Sequence, residues 1–488
     1  MTPTLLLLLL LLPLVALLAD GNWRDSLLYS VVIGFLQDPL RKITPDQPAL
    51  YVGLVLIGIV LTALLLYSRI GRLNFEPLFS GDRQLIGIVE IFLALLLIQT
   101  LNSFLTVGSV TLTLIGLGFY LAPLVALWIG YQFALQPSAV IRFLRVYLVM
   151  AILFAFTIFL SYRGTSSVFF NEVGEGVQIN IVELGIMQQG YVGLWRSSEV
   201  AAWHLGAACC FLLILGVSSR RTNLIALSTT LMVILLVIST LTGRRKVLTL
   251  VIGFLGVYSL LIGLGGDSRV RTNVLAGVGG SGIALSLFLS LQSNPTESGT
   301  LGGFVRRTVN VFEFVDDRFN NLGFNAIGAA LEAAGPFGFG VGALAQGAVS
   351  LGIRVRGGTW AAEGGLGKIA AELGIAGIAL FGLILVLLSI LYWRIVGQLR
   401  FAPPNYSLLN LGLIAFLAAN LPNFAVASQI YGDPFVLSTL GLTAGFVLAS
   451  PTVIQAYLQG QHQRLPGPGA LPPPRRPPSP APPPKVPL

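Results

Sequence analysis

The chain has 488 residues, 55% of them hydrophobic and only 10% charged, with a mean hydropathy of +0.84 and a formal net charge of +9. Soluble globular chains carry about 25% charged residues, so an ordinary soluble protein is excluded. The apolar runs are continuous rather than alternating, which excludes a β-barrel. Arginine outnumbers lysine 25 to 4 and is scattered over the connections, the pattern of a membrane protein retaining positive loops in the cytoplasm and not of a nucleic-acid binder.

A helix needs about 20 apolar residues to cross the hydrocarbon layer. Twelve segments qualify: 4–19, 48–67, 85–104, 112–132, 146–161, 201–217, 223–241, 247–264, 276–292, 373–393, 405–420 and 434–451. The first is short, but it lacks a basic flank, and Leu17-Leu18-Ala19 does not fit a signal-peptidase site, so it is read as a span. The predicted fold is an all-α polytopic transmembrane bundle of about 12 spans, with a large, partly helical extracytoplasmic loop late in the chain. Its divisions are amino-terminal membrane helices over 1–161, a first long extracytoplasmic loop over 162–200 and central membrane helices over 201–292. The large extracytoplasmic loop over 293–372, carboxy-terminal membrane helices over 373–451 and a tail over 452–488 follow.

Orientation follows from the short loops, since long ones translocate regardless of charge. The five short connections on one side hold 11 basic residues, against three in the shortest connections on the other. Those three stand together in Thr242-Gly243-Arg244-Arg245-Lys246. The multi-pass chain is therefore expected with both termini cytoplasmic. The tail beyond Arg464 holds 12 of the 27 prolines. It reads as disordered and polyproline-like, with an export-complex partner as its one functional option.

The adjacent Cys209 and Cys210 form no disulfide framework or thiolate zinc site, and two histidines, His204 and His462, make no multi-histidine centre. No metal or cofactor is expected. The chemistry is sought in charged residues on the outer side. Three cations in a short outer turn oppose the topology rule. Snorkelling to headgroups would explain one of them, but guanidinium forks also bind phosphate bidentately, and Arg244 and Arg245 are the candidates for a lipid-linked diphosphate.

The large loop ends in Gly335-Pro-Phe-Gly-Phe-Gly-Val-Gly342, followed by a second glycine-rich stretch from Gly357 to Gly377. Without a lysine-serine ending these are not nucleotide phosphate loops. Glu363, Lys368 and Glu372 stand in or beside the second stretch. Lys368 and Glu372 are four apart and read as an intrahelical pair. Glu363 sits among small residues at a helix start, as an open carboxylate.

The order of these elements resembles the O-antigen ligase and O-antigen polymerase superfamily of polytopic membrane glycosyltransferases. That family shares a dozen spans, an arginine turn, and a large outer loop ending in Pro-x-x-Gly-x-Gly and then Glu-x-Gly-x-x-Gly. The matching residues are Thr242–Arg245, Pro336–Gly342 and Glu372–Gly377. The segment Gly193–His204 resembles the family's Gly-x-Phe element. Where the ligases carry a histidine eight or nine residues before the Glu of Glu-x-Gly, this chain has Glu363.

The resemblance implies a metal-independent, inverting transfer or polymerisation of polyprenyl-diphosphate-linked oligosaccharide at the outer face of the bacterial cytoplasmic (inner) membrane, in surface or exported polysaccharide biosynthesis. Arg244, Arg245 and Arg318 would bind the donor diphosphate, and Glu363 would be the general base. Arg318 alternatively pairs with Glu313 or Asp317. Arg196 and Glu199 would line the acceptor side, with His204, Lys368 and Glu372 in supporting roles; the bland reading of His204 is a hydrogen-bonded interfacial residue. The acceptor would be a saccharide, a lipid or a protein. The rival readings are a transporter or flippase of lipid-linked saccharides, an O-antigen-type ligase, and a scaffold in an export complex.

Overall fold

The computed structural model describes residues 3–71, 76–79, 81–173, 178–181, 186–265, 272, 279, 319–344, 364–426 and 429–462. They form a helical bundle with one small hairpin. In chain order the elements begin with α1 (Pro3–Ala19), α2 (Trp23–Ile43), α3 (Leu54–Ile70), α4 (Arg83–Thr106), α5 (Val110–Ala134) and α6 (Pro137–Tyr162). The antiparallel strands β1 (Gln178–Ile181) and β2 (Ile186–Gln189) follow, with Gln178 opposite Gln189. Next are α7 (Ser198–Ser218), α8 (Thr222–Thr240) and α9 (Lys246–Gly265), then α10 (Asn325–Ala334), α11 (Gly365–Leu399), α12 (Pro404–Val426), α13 (Pro434–Leu448) and α14 (Ser450–His462).

Among the described residues ten helices are long and apolar enough to cross a membrane, and they coincide with ten of the twelve predicted spans. The span predicted at 4–19 is the shorter apolar helix α1. The span predicted at 276–292 lies outside the described residues, as does the proline-rich segment from 463 onward. Within the region read as a disordered tail from residue 452, the chain stays helical as far as His462.

The stretch 20–47, expected as a connection, is instead the 21-residue helix α2. Asn22 caps it by accepting from the Asp25 N–H, and Arg41 and Lys42 stand in its last turn, where cations are stabilised by the negative end of the helix dipole. Hydropathy hides this helix because its buried face carries Ser26, Ser30, Gln37, Asp38, Arg41 and Lys42. It runs alongside α6. Asp25 pairs with Arg142 at 2.8 Å near the start of α6, and Asp38 pairs with Arg196 beyond the end of α6.

At the centre stands α7, buried along nearly all its length and packed against α6, α8, α9 and α12. Its Ala201, Ala202, Gly206, Ala207 and Ala208 keep the backbone accessible to neighbours, as small residues do in membrane bundles. The α5–α13 contact is closer still. A Cβ at Gly445 would lie 2.2 Å from the Leu127 carbonyl oxygen, so only glycine permits that spacing. The arrangement gathers Asp38, Lys42, Arg196, Glu199, Arg244 and Asp433 at one end of the bundle, the outer end in the predicted topology.

Candidate functional site

The α8–α9 turn is shaped by its own short polar side chains. Thr242 donates from Oγ1 to the Ser239 carbonyl at 2.7 Å, and Gly243 takes a left-handed φ of 67°. The Tyr191 N–H bonds the Leu241 carbonyl at 3.0 Å, fastening the turn to the loop that precedes α7. Arg244 is thereby delivered to the start of α7. Its Nε donates to Ser198 Oγ at 3.0 Å and its Nη1 to Glu199 Oε1 at 3.2 Å. Lys246 Nζ reaches the same Glu199 oxygen at 3.2 Å. With its amide oxygen and nitrogen exchanged, Gln429 donates to both Glu199 oxygens, at 3.1 and 3.2 Å.

Behind Ser198 lies Glu172, whose Oε1 accepts from the Ser198 N–H at 2.8 Å and from its hydroxyl at 3.1 Å. Burial raises the Glu172 carboxyl above its ordinary value, against the Ser198 hydrogen bonds and the Arg244 charge. Arg196 sits between two carboxylates, 3.4 Å from Asp38 and 2.5 Å from Asp433. Burial alone would lower its pKa, but those two charges outweigh burial and raise it. Asp433 also caps α13, accepting from the Phe435 and Val436 N–H groups. Arg196 therefore joins α2, α13 and the approach to α7. Deeper in α7, His204 is fully enclosed, its Nδ1 2.6 Å from Tyr147 Oη and its ring centroid 4.6 Å from that of Phe435.

The two glycine-rich motifs meet each other. The Phe339 and Gly340 N–H groups donate to the Ala371 and Glu372 carbonyls at 2.7 and 3.0 Å, and the Ile375 N–H donates to the Pro336 carbonyl at 3.0 Å. This pairing is possible because α11 is broken at Gly374, which adopts φ 68° and ψ −162°, a conformation essentially confined to glycine. From α4, Gln99 Nε2 donates to the Phe337 carbonyl at 2.7 Å and Asn102 Nδ2 to the Gly338 carbonyl at 3.1 Å.

Lys368 and Glu372 take separate partners rather than forming the expected intrahelical pair. The Glu372 carboxylate is buried, accepting from Tyr120 Oη at 2.7 Å and from the Leu344 N–H at 3.0 Å. The Lys368 ammonium lies 3.9 Å from the Phe119 ring centre.

These two regions converge on the end of α12. Thr249, in the first turn of α9, donates to Asn423 at 2.7 Å. A Cβ at Gly365 would lie 2.4 Å from the Phe424 carbonyl oxygen, and one at Gly364 3.1 Å from that of Ala425. Of the predicted site residues, Arg244, Glu199 and Arg196 are gathered at the start of α7, with Arg245 in the adjacent turn. His204 lies further along α7, and Lys368 and Glu372 stand in the first part of α11. Glu363 and Arg318 lie outside the described residues.

Sequence reasoning missed Glu172, Ser198, Gln429, Asp38 and Asp433. Asp433 carried a readable signal, an acidic residue directly before a proline at a helix start; Asp38, Arg41 and Lys42 recur at helical spacing. Among the described residues no three His, Cys, Asp or Glu side chains cluster as a metal-ligand set. No protein-family model matches the chain, and no curated protein matches it in sequence.

Proposed function

We propose that this multi-pass membrane protein is a glycosyltransferase of the O-antigen polymerase or ligase kind, with a polyprenyl-diphosphate-linked glycan as donor, working at the outer face of the bacterial cytoplasmic membrane. The observation that carries the reading is the cationic turn Arg244-Arg245-Lys246, tied by the Thr249–Asn423 hydrogen bond to the segment that packs against Gly364 and Gly365. Guanidinium groups beside a leaving diphosphate would stabilise the charge growing on it. Glu363, immediately before Gly364 in sequence, is the proposed general base on the acceptor hydroxyl.

In the proposed step the acceptor oxygen attacks the anomeric carbon as its proton passes to Glu363. The bond from that carbon to the diphosphate oxygen breaks, and the electron pair leaves with the diphosphate. The test is transfer from a lipid-linked oligosaccharide by the purified protein in liposomes. Glu363→Gln is expected to cut turnover by about 10²–10⁴-fold while sparing donor binding, and Arg245→Lys to cost activity by removing the fork while keeping the charge. Near-normal turnover in Glu363→Gln would eliminate the carboxylate-base mechanism.

One observation favours the transporter reading: α11 is a broken helix, a hallmark of secondary transporters. The freed backbone is taken up by the 336–340 loop, not left lining an opening. The same liposomes separate the two readings, since a transporter would move the lipid-linked glycan across the bilayer without joining it to an acceptor.

A further inference from the structure

We propose that the Glu199 carboxylate is an internal stand-in for a donor phosphate, and that a diphosphate and Glu199 compete for Arg244 and Lys246. The proposal rests on the donor reading above and deepens it, since it names the subsite and the group that must leave it.

Three features of the cluster carry it. Arg244 Nη1 and Lys246 Nζ converge on one oxygen, Glu199 Oε1, each at 3.2 Å. That is longer than the roughly 2.7–2.9 Å usual for charge-assisted hydrogen bonds, so the pairs are made below full strength. The cluster's donors also extend beyond the one carboxylate. Besides the two cations, the Gln429 amide reaches both Glu199 oxygens, and Arg244 Nε is turned to the Ser198 hydroxyl. A phosphate, with its additional oxygens, would engage such a set more fully.

The third feature is charge and access. The turn bears three cations in succession, Arg244, Arg245 and Lys246, and two of them, Arg244 and Lys246, share the single negative charge of Glu199; a diester of diphosphoric acid brings two. The pairs are also reachable, with Arg244, Glu199 and Lys246 side chains 17%, 15% and 33% exposed. Glu199 lies in the first turn of α7, and a rotation of its own side chain would vacate the cations without moving the helix. The nearby Glu172 is engaged by the Ser198 N–H and hydroxyl and does not compete directly.

The experiment is calorimetric titration of inorganic pyrophosphate into the full-length protein in detergent, comparing wild type, Glu199→Gln, Arg244→Ala and Arg245→Ala. Removing the competing charge should tighten pyrophosphate binding by about tenfold in Glu199→Gln, the scale of one lost charged hydrogen bond, and Arg244→Ala should weaken it. Should Glu199→Gln not fold, Glu199→Asp, which draws the carboxylate back by one methylene, should also bind more tightly than wild type.

If Arg244→Ala weakens binding but the Glu199 variants bind no more tightly than wild type, the competition is refuted while the donor reading stands. If neither arginine substitution changes binding, the diphosphate does not use this turn and both readings fall. Binding of a short prenyl diphosphate in the same order, Glu199→Gln tightest and Arg244→Ala weakest, extends the result to the lipid-linked donor. A different order with that probe would overturn the assignment to it.

Discussion

Thr249 and Asn423, 174 residues apart in sequence, share a 2.7 Å hydrogen bond between α9 and α12. Thr249 follows the cationic turn by one helical step, and Asn423 precedes the two carbonyls that press on Gly365 and Gly364. The polar groups on both sides of this bond therefore meet through one short stretch of α12. The single Thr249 hydroxyl proton is shared between Asn423 Oδ1 and the Lys246 carbonyl, 2.9 Å away, while the Asn423 amide nitrogen donates to the Ala419 carbonyl at 3.4 Å. Without the Asn423 side chain, the Thr249 hydroxyl keeps the Lys246 carbonyl as its acceptor.

Asn423→Ala is accordingly expected to cost little stability, about 1 kcal/mol for a neutral hydrogen bond, yet to lower the proposed glycan transfer by loosening α9 from the start of α11. Thermal melting and transfer rate, measured on the same preparation, separate the two effects. An unchanged rate would show that the bond is incidental to activity.

A larger effect is expected at Arg196. Replacing it by Met leaves Asp38 and Asp433 facing each other in a buried site, and breaking a buried pair in this way costs about 3–5 kcal/mol. Adding Asp433→Asn to Arg196→Met removes one stranded charge and should restore part of the melting temperature. If the double variant melts no higher than the single one, the electrostatic account of this junction is wrong.

The legible part of the fold was the part governed by hydropathy. Ten apolar helices announce themselves because each turns apolar residues to lipid or to neighbours, and continuous apolar runs need no periodicity to be seen. Helix α2 was illegible for the opposite reason. It lies inside the bundle, where Asp38 and Lys42 find partners from other elements, and partners distant in sequence leave no local mark.

The site was partly legible in the same sense. Arg244 was singled out as a violation of charge topology, but its pairing with Glu199 depends on α7 and α9 lying side by side. The glycine motifs were visible, although their mutual pairing depends on positive-φ glycines in both, Gly374 in one and Gly335, Gly338, Gly340 and Gly342 in the other. Lys368 and Glu372, at ideal helical spacing, were drawn apart by Phe119 and Tyr120 of α5.

The parallel course of α2 and α6 changes the expected topology. α1 and α2 are joined through Asp20–Asn22, and Tyr29 Oη bonds the Leu10 carbonyl at 3.0 Å, so α1 runs back against α2. With both helices crossing, a reporter fused ahead of Pro3 should lie on the same side as residues 162–200, and one fused after Gly460 on the opposite side. The sequence-based expectation places both ends together. Two fusions, read by a compartment-sensitive enzyme, decide between these topologies, and matching signals would show that α1 or α2 does not cross.

The break in α11 supplies the last prediction. Gly374 stands at φ 68° and ψ −162°, and a non-glycine residue held there costs on the order of 1–3 kcal/mol in backbone strain. An added Cβ would also fall 2.3 Å from the Pro336 carbonyl oxygen, and relieving that contact would pull the 336–340 loop off the Ala371 and Glu372 carbonyls. Those bonds hold the loop against α11, beside the Glu372 carboxylate that accepts from Tyr120 and the Leu344 N–H. Gly374→Ala should therefore lower the melting temperature markedly and abolish transfer. Gly382→Ala provides the control in the same helix, because a Cβ there meets nothing within 4 Å and alanine is a better helix former by about 1 kcal/mol. It should leave activity intact and melt at or above the wild-type temperature. If the two variants behave alike, the helix tolerates continuity at residue 374, and the pairing of the two glycine motifs is not what organises this end of the bundle.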